Sequence, residues 1–503
     1  MVLTYGERRA MGELSSALSS QWKNGLLPHI RFVPGQVGHS PDCKEWGVKE
    51  SVTGNKKWCT SGITQPPNIA LALWIVYRGS RNKADLIPFL EKFYDGLRRC
   101  HNFLLTERDP EREGLAAVFH PWSTGSDNTP TYDGLVEKAH KELTSAGYEN
   151  RVSRRKDTVH VVAEQRPKKK DYETYGRLIG LYIANKYVQE KIYAKSPFVV
   201  QDVIFNVILK ESIYSLAKVA EVLAEHYKRR NPERMEYFVR ETGRNKRLAL
   251  KVRDGIREKL FDEGTGYFYP FDVRAGELIK VPDIHSLVPL FGKAASKEQG
   301  KALIAHLLNE KEFNPKNGFM IPSFPMNMHG FENQGYARGP IWPIRNWLIS
   351  RGLEHYDRPL AEKVKKHTIT MVADGMKDLK RAEELAGSVM EYNSFGEDYT
   401  TPSRTQYFHA WLWDTGFAAI GWRHVKNKPD DEIWHRVASR KDNLVSHGTD
   451  LNKVKDEVKQ EFKVPFFEEF YAPLPTKRFR AGTPLGAEKM TWTAAAFLDL
   501  LKG

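Results

Sequence analysis

The segment HPWSTGSDNTPTYD, residues 120–133, holds the first carboxylate that could do chemistry, Asp127. The Asn-Thr-Pro after it is ordinary turn chemistry, so Asp127 alone would be a turn residue or helix N-cap. Its neighbours His120, Trp122 and Tyr132 favour another role, because flat apolar faces beside a carboxyl can hold a sugar ring and raise the carboxyl pKa by desolvation. A raised pKa keeps a proton available for a leaving-group oxygen. These residue types therefore make Asp127 a candidate general acid, with the turn or N-cap role still open.

A glycosidase needs a second carboxylate facing the first, and the best candidate lies near the end of the chain. Glu469 stands in the segment EEFYAP, just ahead of a loop and the apolar segment WTAAAFLDLL. Taken alone, Glu469 reads as a surface glutamate. As the partner of Asp127, it would activate the water that attacks the sugar.

The charge balance bears on the kind of partner. The chain has 503 residues, with 77 Lys and Arg against 63 Asp and Glu, a net charge of +14. A solubilising surface explains this charge most simply, and a positive field that steers an anionic substrate is another explanation. Nucleic acid is a third, but the basic runs are short and the 12 Trp lie in apolar segments rather than among them. We therefore expect a small-molecule partner and no nucleic acid.

The cysteines and the apolar runs bear on the compartment. Cys43, Cys59 and Cys100 are few, odd in number and without C-x-x-C spacing, which predicts neither a disulfide framework nor a zinc site. The sequence has no run of about 18 apolar residues, so we expect no membrane span. The start of the sequence lacks the apolar region of a signal peptide. These features predict a cytoplasmic protein with no membrane partner, no metal and no cofactor.

Apolar residues recur at i, i+3, i+4 and i+7 along much of the chain, which indicates amphipathic helices. Strand-like alternation is confined to short pieces such as DTVHVVAE. Loops rich in Gly, Pro, Asn and aromatic residues separate the helices, and no Pro/Gly/Ser-rich linker divides them. We expect one all-α domain over residues 1–503, with an exposed, charged helical insertion at 426–463. A closed ring of helical hairpins would gather the loops at one end, where catalytic residues concentrate.

Several of these segments resemble glycoside hydrolase family 63, and within it the bacterial mannosylglycerate and glucosylglycerate hydrolases. The segment at 125–130, GSDNTP, fits the family signature G-x-D-N-[ST]-P. TSGITQPP before it and RPKKKDY, GYARGPIWP and EFYAP after it fall in the family's order. The resemblance implies an (α/α)6 barrel and an inverting α-glycosidase. It makes Asp127 the general acid and Glu469 the general base, with carboxyls roughly 6.5–9.5 Å apart to admit a water.

The resemblance also implies a set of residues that line the sugar pocket. Tryptophan faces would stack on the C–H surfaces of the sugar, and Asp414 could accept two hydrogen bonds from hydroxyl groups. The alternative for each aromatic residue is core packing, and His120 and Arg338 could instead brace loops. The implied pocket residues are Gln65, Trp122, Tyr336, Trp342, Tyr407, Trp411, Trp413 and Asp414.

Arg166 and Tyr172, in RPKKKDY, match the positions that hold the glycerate carboxylate in the glycerate-linked members. An arginine fork can pair with a carboxylate through two hydrogen bonds, and a phenol can add a third. The alternative is a solvated basic run. We expect these two residues to bind an acidic aglycone.

The chain departs from the family in segment order. In the relatives the W-x-W-D-x-x-F helix lies near the N-terminus, whereas here we expect the corresponding helix at residues 406–421. The preceding SVMEYNSFGEDYTTPS also resembles a family N-terminus. Glu391 and Glu397 lie in it and are rival general bases, which we rank below Glu469. A closed ring tolerates such rearrangement if the new connections are surface loops.

Two substitutions bear on the substrate. Ser123 stands where the family commonly has Glu, and Met490 stands where glycerate-linked relatives often carry Gln. A thioether cannot replace the hydrogen bonds of an amide, which weakens the glycerate assignment but not the glycosidase chemistry. The leading prediction is an inverting hydrolase of glucosylglycerate or mannosylglycerate. The alternatives are a neutral α-glucosidase and a catalytically decayed sugar-binding protein, and the sequence leaves a homo-oligomer open.

Overall fold

Helices make up most of the protein. A computed structural model describes residues 5–32, 40–155, 163–333, 335–377, 409–411, 468–471 and 484–488. Short 3-10 helices span Pro121–Ser123, Pro130–Tyr132, Ala163–Gln165 and Ile284–Lys293. The α-helices are α1 (Tyr5–Leu18), α2 (Cys43–Trp46), α3 (Glu50–Thr53), α4 (Ile69–Gly79), α5 (Lys83–Thr106), α6 (Asp133–Ser145), α7 (Lys169–Ala184), α8 (Gln189–Lys195), α9 (Val203–Tyr227), α10 (Pro232–Lys259), α11 (Lys297–Leu308), α12 (Pro343–Leu353) and α13 (Arg358–Lys377).

The strands are short and lie between the helices. They are β1 (Ile30–Phe32), β2 (Cys59–Thr60), β3 (Val200–Gln201), β4 (Phe261–Asp262), β5 (Tyr267–Phe268), β6 (Phe271–Asp272), β7 (Glu277–Leu278), β8 (His409–Trp411), β9 (Glu468–Tyr471) and β10 (Pro484–Glu488). β1 is the centre of a three-stranded antiparallel sheet in the order β2-β1-β8, and β3-β6-β7 is another. β4 pairs with β5, and β9 with β10.

Helix α9 is the centre of the core. It packs against α10, α4, α5 and the 3-10 helix at 284–293, so apolar residues are buried on most of its faces. α10 begins where Asn231 Oδ1 accepts the Arg234 amide at 3.1 Å, with Pro232 at the first helical position. The pairs α4–α5, α6–α7, α9–α10 and α12–α13 pack together as hairpins, which confirms the predicted helical class.

Strand β8 lies within the displaced segment, where the sequence predicts a helix, and residues 409–411 are extended instead because they pair with β1. It runs antiparallel to β1, with Trp411 opposite Ile30 and His409 opposite Phe32. Residues 409–411, which end at the first Trp of the W-x-W-D motif, therefore lie beside the first part of the chain. The predicted insertion at 426–463 lies outside the described residues, and the single-domain interpretation of 1–503 stays a prediction.

The structure corrects the interpretation of the cysteines. Cys43 and Cys59 form a disulfide across a separation of 16 residues, and Cys100 is free and buried. The spacing gave no sign of the bond, because α2 and β2 meet only through the tertiary fold. The bond also removes the cysteine argument for a cytoplasmic location. Across the described helices, none is long and apolar enough to cross a membrane.

Candidate active site

The acid loop, residues 120–132, begins at a buried histidine. His120 Nδ1 accepts the Trp122 amide at 3.2 Å, and Nε2 donates to the Tyr175 carbonyl at 3.2 Å. Burial lowers the pKa of His120 to about 3, so the ring is neutral, with one nitrogen accepting and the other donating. His120 therefore braces the loop, which was one of the two roles that the sequence left open.

An aromatic wall stands beside this loop, with Trp122 at its centre. The Trp122 ring centroid lies 4.7 Å from that of His120, 5.3 Å from Tyr175 and 6.0 Å from Tyr172. Trp122 and Tyr172 are partly exposed and the other members of the wall are buried. The two partly exposed rings offer an apolar surface of the kind on which a sugar ring stacks. The wall comprises His29, Trp46, His120, Trp122, Tyr172 and Tyr175.

Asp127 lies in the acid loop between buried residues and is itself partly exposed. Ser126 and Asn128 on either side keep only 4% and 6% of their surface. Tyr175 of the aromatic wall donates its hydroxyl to the Asp127 carbonyl oxygen. Burial, and then the negative charge of Asp127, raise the pKa of Tyr175 well above its ordinary value. The loop is thus fixed to the wall at Asp127, the residue for which the sequence predicts the general-acid role.

Two buried carboxyls hold the part of the loop that follows Asp127. Tyr132 donates its hydroxyl to Asp202 Oδ2 at 2.6 Å, and Thr129 donates to Asp283 Oδ2 at 2.8 Å. Asp202 also caps the N-terminus of α9, and Asp283 caps the 3-10 helix at 284–293. Both carboxyls that hold the loop are therefore N-cap residues, at the first turns of two helices.

A buried guanidinium and a buried imidazole hold the part that precedes Asp127. Arg345 on α12 donates from Nη2 to the Gly125 carbonyl at 2.7 Å. His285 Nε2 lies 3.1 Å from the Ser126 hydroxyl oxygen. Both are buried, with exposures of 1%. We define Asp202, Asp283, His285 and Arg345 as the anchoring cluster.

The anchoring cluster is coupled electrostatically through Arg345. Burial raises the pKa of Asp202 to about 7 and that of Asp283 to about 6, and the Arg345 charge opposes both shifts. Burial and the same charge hold the pKa of His285 well below its ordinary value. The guanidinium therefore favours ionised Asp202 and Asp283 and a neutral His285.

Arg166 contacts a second aromatic pair. Its guanidinium carbon lies 5.1 Å from the Tyr336 ring centroid, within cation–π range. The Tyr336 ring meets Trp342 edge to face, with centroids 5.0 Å apart. Arg338, two residues after Tyr336, pairs with Asp133, which directly follows the acid loop. This ion pair joins the Arg166 group to the acid loop.

The structure brings several of the predicted residues together. Gln65 donates from Nε2 to the Trp122 carbonyl at 3.3 Å, so Gln65, Trp122 and Tyr172 form one group. Arg166, Tyr336 and Trp342 form the other. Trp411 has its backbone opposite Ile30, next to His29 of the wall. Tyr407, Trp413 and Asp414 lie outside the described residues.

Glu469 is placed by its backbone alone. It lies in β9, which pairs with β10 and runs beside α13. The position of the Glu469 side chain is not described, so its pairing with Asp127 stays a prediction. Glu391, Glu397 and Met490 also fall outside the described residues.

Sequence reasoning missed the anchoring cluster, Tyr175 and Trp46, and also Arg155. The Arg155 guanidinium carbon lies 4.2 Å from the Tyr172 ring centroid, and its place in RRKD just before the RPKKKDY motif was the available signal. Within the described ranges, no group of three or more His, Cys, Asp or Glu could hold a metal ion.

Residues 2–400 match a family model, described as "Mannosylglycerate hydrolase MGH1-like glycoside hydrolase domain". Mannosylglycerate hydrolase of Rubrobacter radiotolerans is 33% identical over 357 residues, 70% of this chain and 76% of the relative. Glucosylglycerate hydrolase of Mycolicibacterium hassiacum is 30% identical over 354 residues, 68% of this chain and 74% of the relative. The match to the family model ends before Trp411 and Glu469.

A solved structure shows the same fold. The crystal structure of the family 63 mannosylglycerate hydrolase from Thermus thermophilus, in complex with Tris and D-glycerate, matches with a TM-score of 0.68. The match is 23% identical and covers 99% of this chain and 89% of that chain. The prediction of an (α/α)6 barrel is confirmed. By its sequence match and its fold, the chain belongs to the mannosylglycerate hydrolase MGH1-like family and is a glycoside hydrolase of the inverting family 63.

Proposed function

We propose that this glycoside hydrolase cleaves glucosylglycerate or mannosylglycerate with inversion, using Asp127 as general acid and Glu469 as general base. The observation that carries the proposal is the partial exposure of Asp127 in a mostly buried loop that also carries the partly exposed ring of Trp122, itself 6.0 Å from the partly exposed Tyr172 ring. A sugar stacked on that wall would lie next to the carboxyl. The relatives that match this chain are named for these two substrates.

The bond changes follow from these roles. Asp127 donates its proton to the glycosidic oxygen as the bond from that oxygen to the anomeric carbon breaks. Glu469 takes a proton from a water whose oxygen attacks the anomeric carbon from the opposite face. The products are a sugar in the β configuration and glycerate, whose hydroxyl group carries the proton from Asp127. Asp127 ends ionised and Glu469 protonated, and exchange with solvent restores both.

Arg166 and Tyr172 would receive the glycerate carboxylate, with Arg155 nearby. Arg155 lies over Tyr172 and Arg166 lies over Tyr336, so a guanidinium is stacked on each ring. Stacking fixes the plane of a guanidinium, and the N–H edge in that plane is the part that pairs with a carboxylate through two hydrogen bonds. The homologous family 63 structure with D-glycerate supports an acidic aglycone for this chain as well.

A substrate screen with stereochemical readout tests the proposal. Purified protein is incubated with glucosylglycerate, mannosylglycerate, trehalose and kojibiose, and the first anomer released is followed by NMR. We expect the β-anomer to appear first, from one or both of the glycerate glycosides. Initial release of the α-anomer would contradict the inverting mechanism, and faster cleavage of kojibiose or trehalose would contradict the acidic aglycone. A cytoplasmic location and a homo-oligomeric state stay predictions.

A further inference from the structure

We propose that Arg345 is the positioning residue for the general acid, acting through the backbone of the acid loop. This inference rests on the proposed role of Asp127. Arg345 donates from Nη2 to the Gly125 carbonyl at 2.7 Å, two residues before Asp127. It is 1% exposed and lies on α12, 220 residues away in sequence. A rigid helix of the core therefore holds the loop at this point.

The anchors on the other side of Asp127 are two carboxyls whose ionised form the same guanidinium favours. Thr129 and Tyr132 donate to the carboxylates of Asp283 and Asp202, at 2.8 and 2.6 Å. Two buried carboxylates without a cation would be costly, and protonation would turn one accepting oxygen of each carboxyl into a donating hydroxyl. The Arg345 charge favours their ionised, accepting forms. Arg345 thus holds the loop before Asp127 through a hydrogen bond, and its charge favours ionisation of the carboxyls that hold the loop after Asp127.

The geometry matters because proton donation is sensitive to position. A displacement of about 1 Å of a catalytic group can cost roughly 100-fold in rate. Asp127 is fixed on the wall side by the Tyr175 hydroxyl and on the core side by the anchoring cluster. Loss of Arg345 should release the core side alone. The sugar-binding surface of Trp122 and Tyr172 should then persist while the acid carboxyl loses its place.

Leaving-group dependence separates this role from general structural damage. The glycerate glycoside needs a proton on its leaving oxygen, whereas an α-glycosyl fluoride of the same sugar needs little or none. We expect Arg345→Gln to lower kcat for the glycoside about 100-fold and for the fluoride less than about 5-fold, with little change in KM for either. Arg345→Lys, which keeps the charge but not the fork, should show a smaller loss with the same preference for the fluoride.

Two further variants calibrate the result. Arg257→Gln is the matched control, since Arg257 also holds backbone carbonyls, those of Lys293, Ala294 and Ala295, away from the acid loop. It should leave the ratio of the two activities unchanged. Asp127→Asn should lose activity on the glycoside far more than on the fluoride. Circular dichroism at the assay temperature establishes that each variant is folded.

The outcomes distinguish the two proposals. If Asp127→Asn shows the fluoride preference but neither Arg345 variant does, the positioning role is wrong and the proposed function stands. If Asp127→Asn loses both activities equally, Asp127 is not the general acid and both proposals fail. If Arg345→Gln does not fold, Arg345→Lys decides, and unchanged activity on the glycoside in that variant would overturn the inference.

Discussion

At the scale of single residues, the acid loop shows how one carboxyl stays reachable within a buried segment. The side chains of Ser126, Thr129 and Tyr132 are turned into the protein and satisfied there by buried partners. Their hydrogen bonds fix the backbone between them. Asp127 and Gly125 are the two residues between 123 and 132 that keep partial exposure. The loop thus uses these three polar side chains to hold its position, while Asp127 keeps part of its surface.

Replacing the proposed acid tests the residue that matters most. Asp127→Asn should lower kcat on a glycerate glycoside by about 100- to 10,000-fold, because an amide cannot donate the proton. Thermal stability should change little, because the loop is held by its neighbours. Kinetic assays and melting curves measure the two quantities. Asp254→Asn, an exposed carboxylate on α10 at 46% side-chain exposure, is the control, and comparable losses in both variants would contradict the assignment.

Arg166 should discriminate acidic from neutral glycosides. Arg166→Gln removes a charged hydrogen-bond donor, which should raise KM for the glycerate glycoside by roughly 10- to 100-fold and KM for kojibiose far less. Arg274→Gln is the matched control, because Arg274 also lies 5.1 Å from a tyrosine ring centroid, that of Tyr193, outside the acid loop. Steady-state kinetics on both substrates provide the measurement. Equal losses on both would show that Arg166 does not read the carboxylate.

At the scale of elements, α7 carries two residues of the aromatic wall and is placed by two glycines. A Cβ at Gly176 would lie 1.8 Å from Asn150 Oδ1, and one at Gly180 would lie 2.3 Å from the Glu149 carbonyl oxygen. The two residues are four apart, so they share a helix face. α7 therefore approaches the turn at 149–152 more closely than any side chain would allow. This close approach helps to fix the position of α7, and with it the positions of Tyr172 and Tyr175 in the aromatic wall.

Adding a side chain at this close approach should destabilise the protein. Gly180→Ala places a methyl group against backbone, which cannot move aside as a side chain can, and should cost about 1–3 kcal/mol in the free energy of unfolding. Gly134→Ala on α6 is the control, since nothing lies within 4 Å of the added Cβ, and it should be neutral or slightly stabilising. Urea unfolding of both variants makes the comparison. A Gly180→Ala protein as stable as the parent would contradict the close approach.

The disulfide ties two elements that support the wall. Cys43 begins α2, which ends at the buried Trp46, and Cys59 begins β2, which leads to Ser61. Ser61 Oγ accepts the Ile30 amide at 2.9 Å and contacts His29 of the wall. The bond therefore connects the supports of two wall residues.

Breaking the bond should lower stability and remove sensitivity to reductant. For a loop of 16 residues, loss of the cross-link should cost about 3 kcal/mol. Melting curves with and without dithiothreitol measure the effect, and the Cys43→Ser, Cys59→Ser double variant should melt identically in both. Alkylation of all three cysteines in unreduced, denatured protein would show that the bond is absent.

At the scale of the whole molecule, buried histidines link stability to pH. His101 on α5 is 2.8 Å from the Ser212 hydroxyl on α9 and is buried at 1% exposure. Burial lowers the pKa of His101 to about 3. The unfolded chain binds a proton at this residue below its ordinary value of 6.5, whereas the folded protein does not until about pH 3. The stability contributed by the neutral His101 is therefore present above pH 6.5 and is lost as pH falls.

Removing that histidine should flatten the acid side of the stability profile. His101→Gln should reduce the slope of the unfolding free energy between pH 4 and 6 by one proton, about 1.4 kcal/mol per pH unit. Ser212→Ala is the control, because it removes the hydrogen bond but leaves a buried, neutral imidazole, so its slope should match the parent. Urea unfolding at several pH values gives the slopes. An unchanged slope in His101→Gln would mean that His101 takes up its proton in the folded state.

The sequence by itself determined the class and the chemistry of this protein. Helical periodicity predicted the all-α fold, because it depends on spacings of three and four residues that a helix converts directly into one buried face. The GSDNTP loop predicted a role for Asp127, and the resemblance to family 63 predicted the barrel. Both predictions were possible because each motif is a short run of contiguous residues. His120 and Gln65 lie beside Trp122, as their motifs suggested.

Only the tertiary structure decided what holds that chemistry in place. Ser126 meets His285 across 159 residues, and Gly125 meets Arg345 across 220. A buried Arg or His on an apolar helix has the same local pattern whether it anchors a loop such as residues 120–132 or packs only in the core. The Cys43–Cys59 bond likewise depends on α2 and β2 meeting in space. Local spacing fixes which face of an element is buried, but the partner on that face is chosen by the packing of the whole chain.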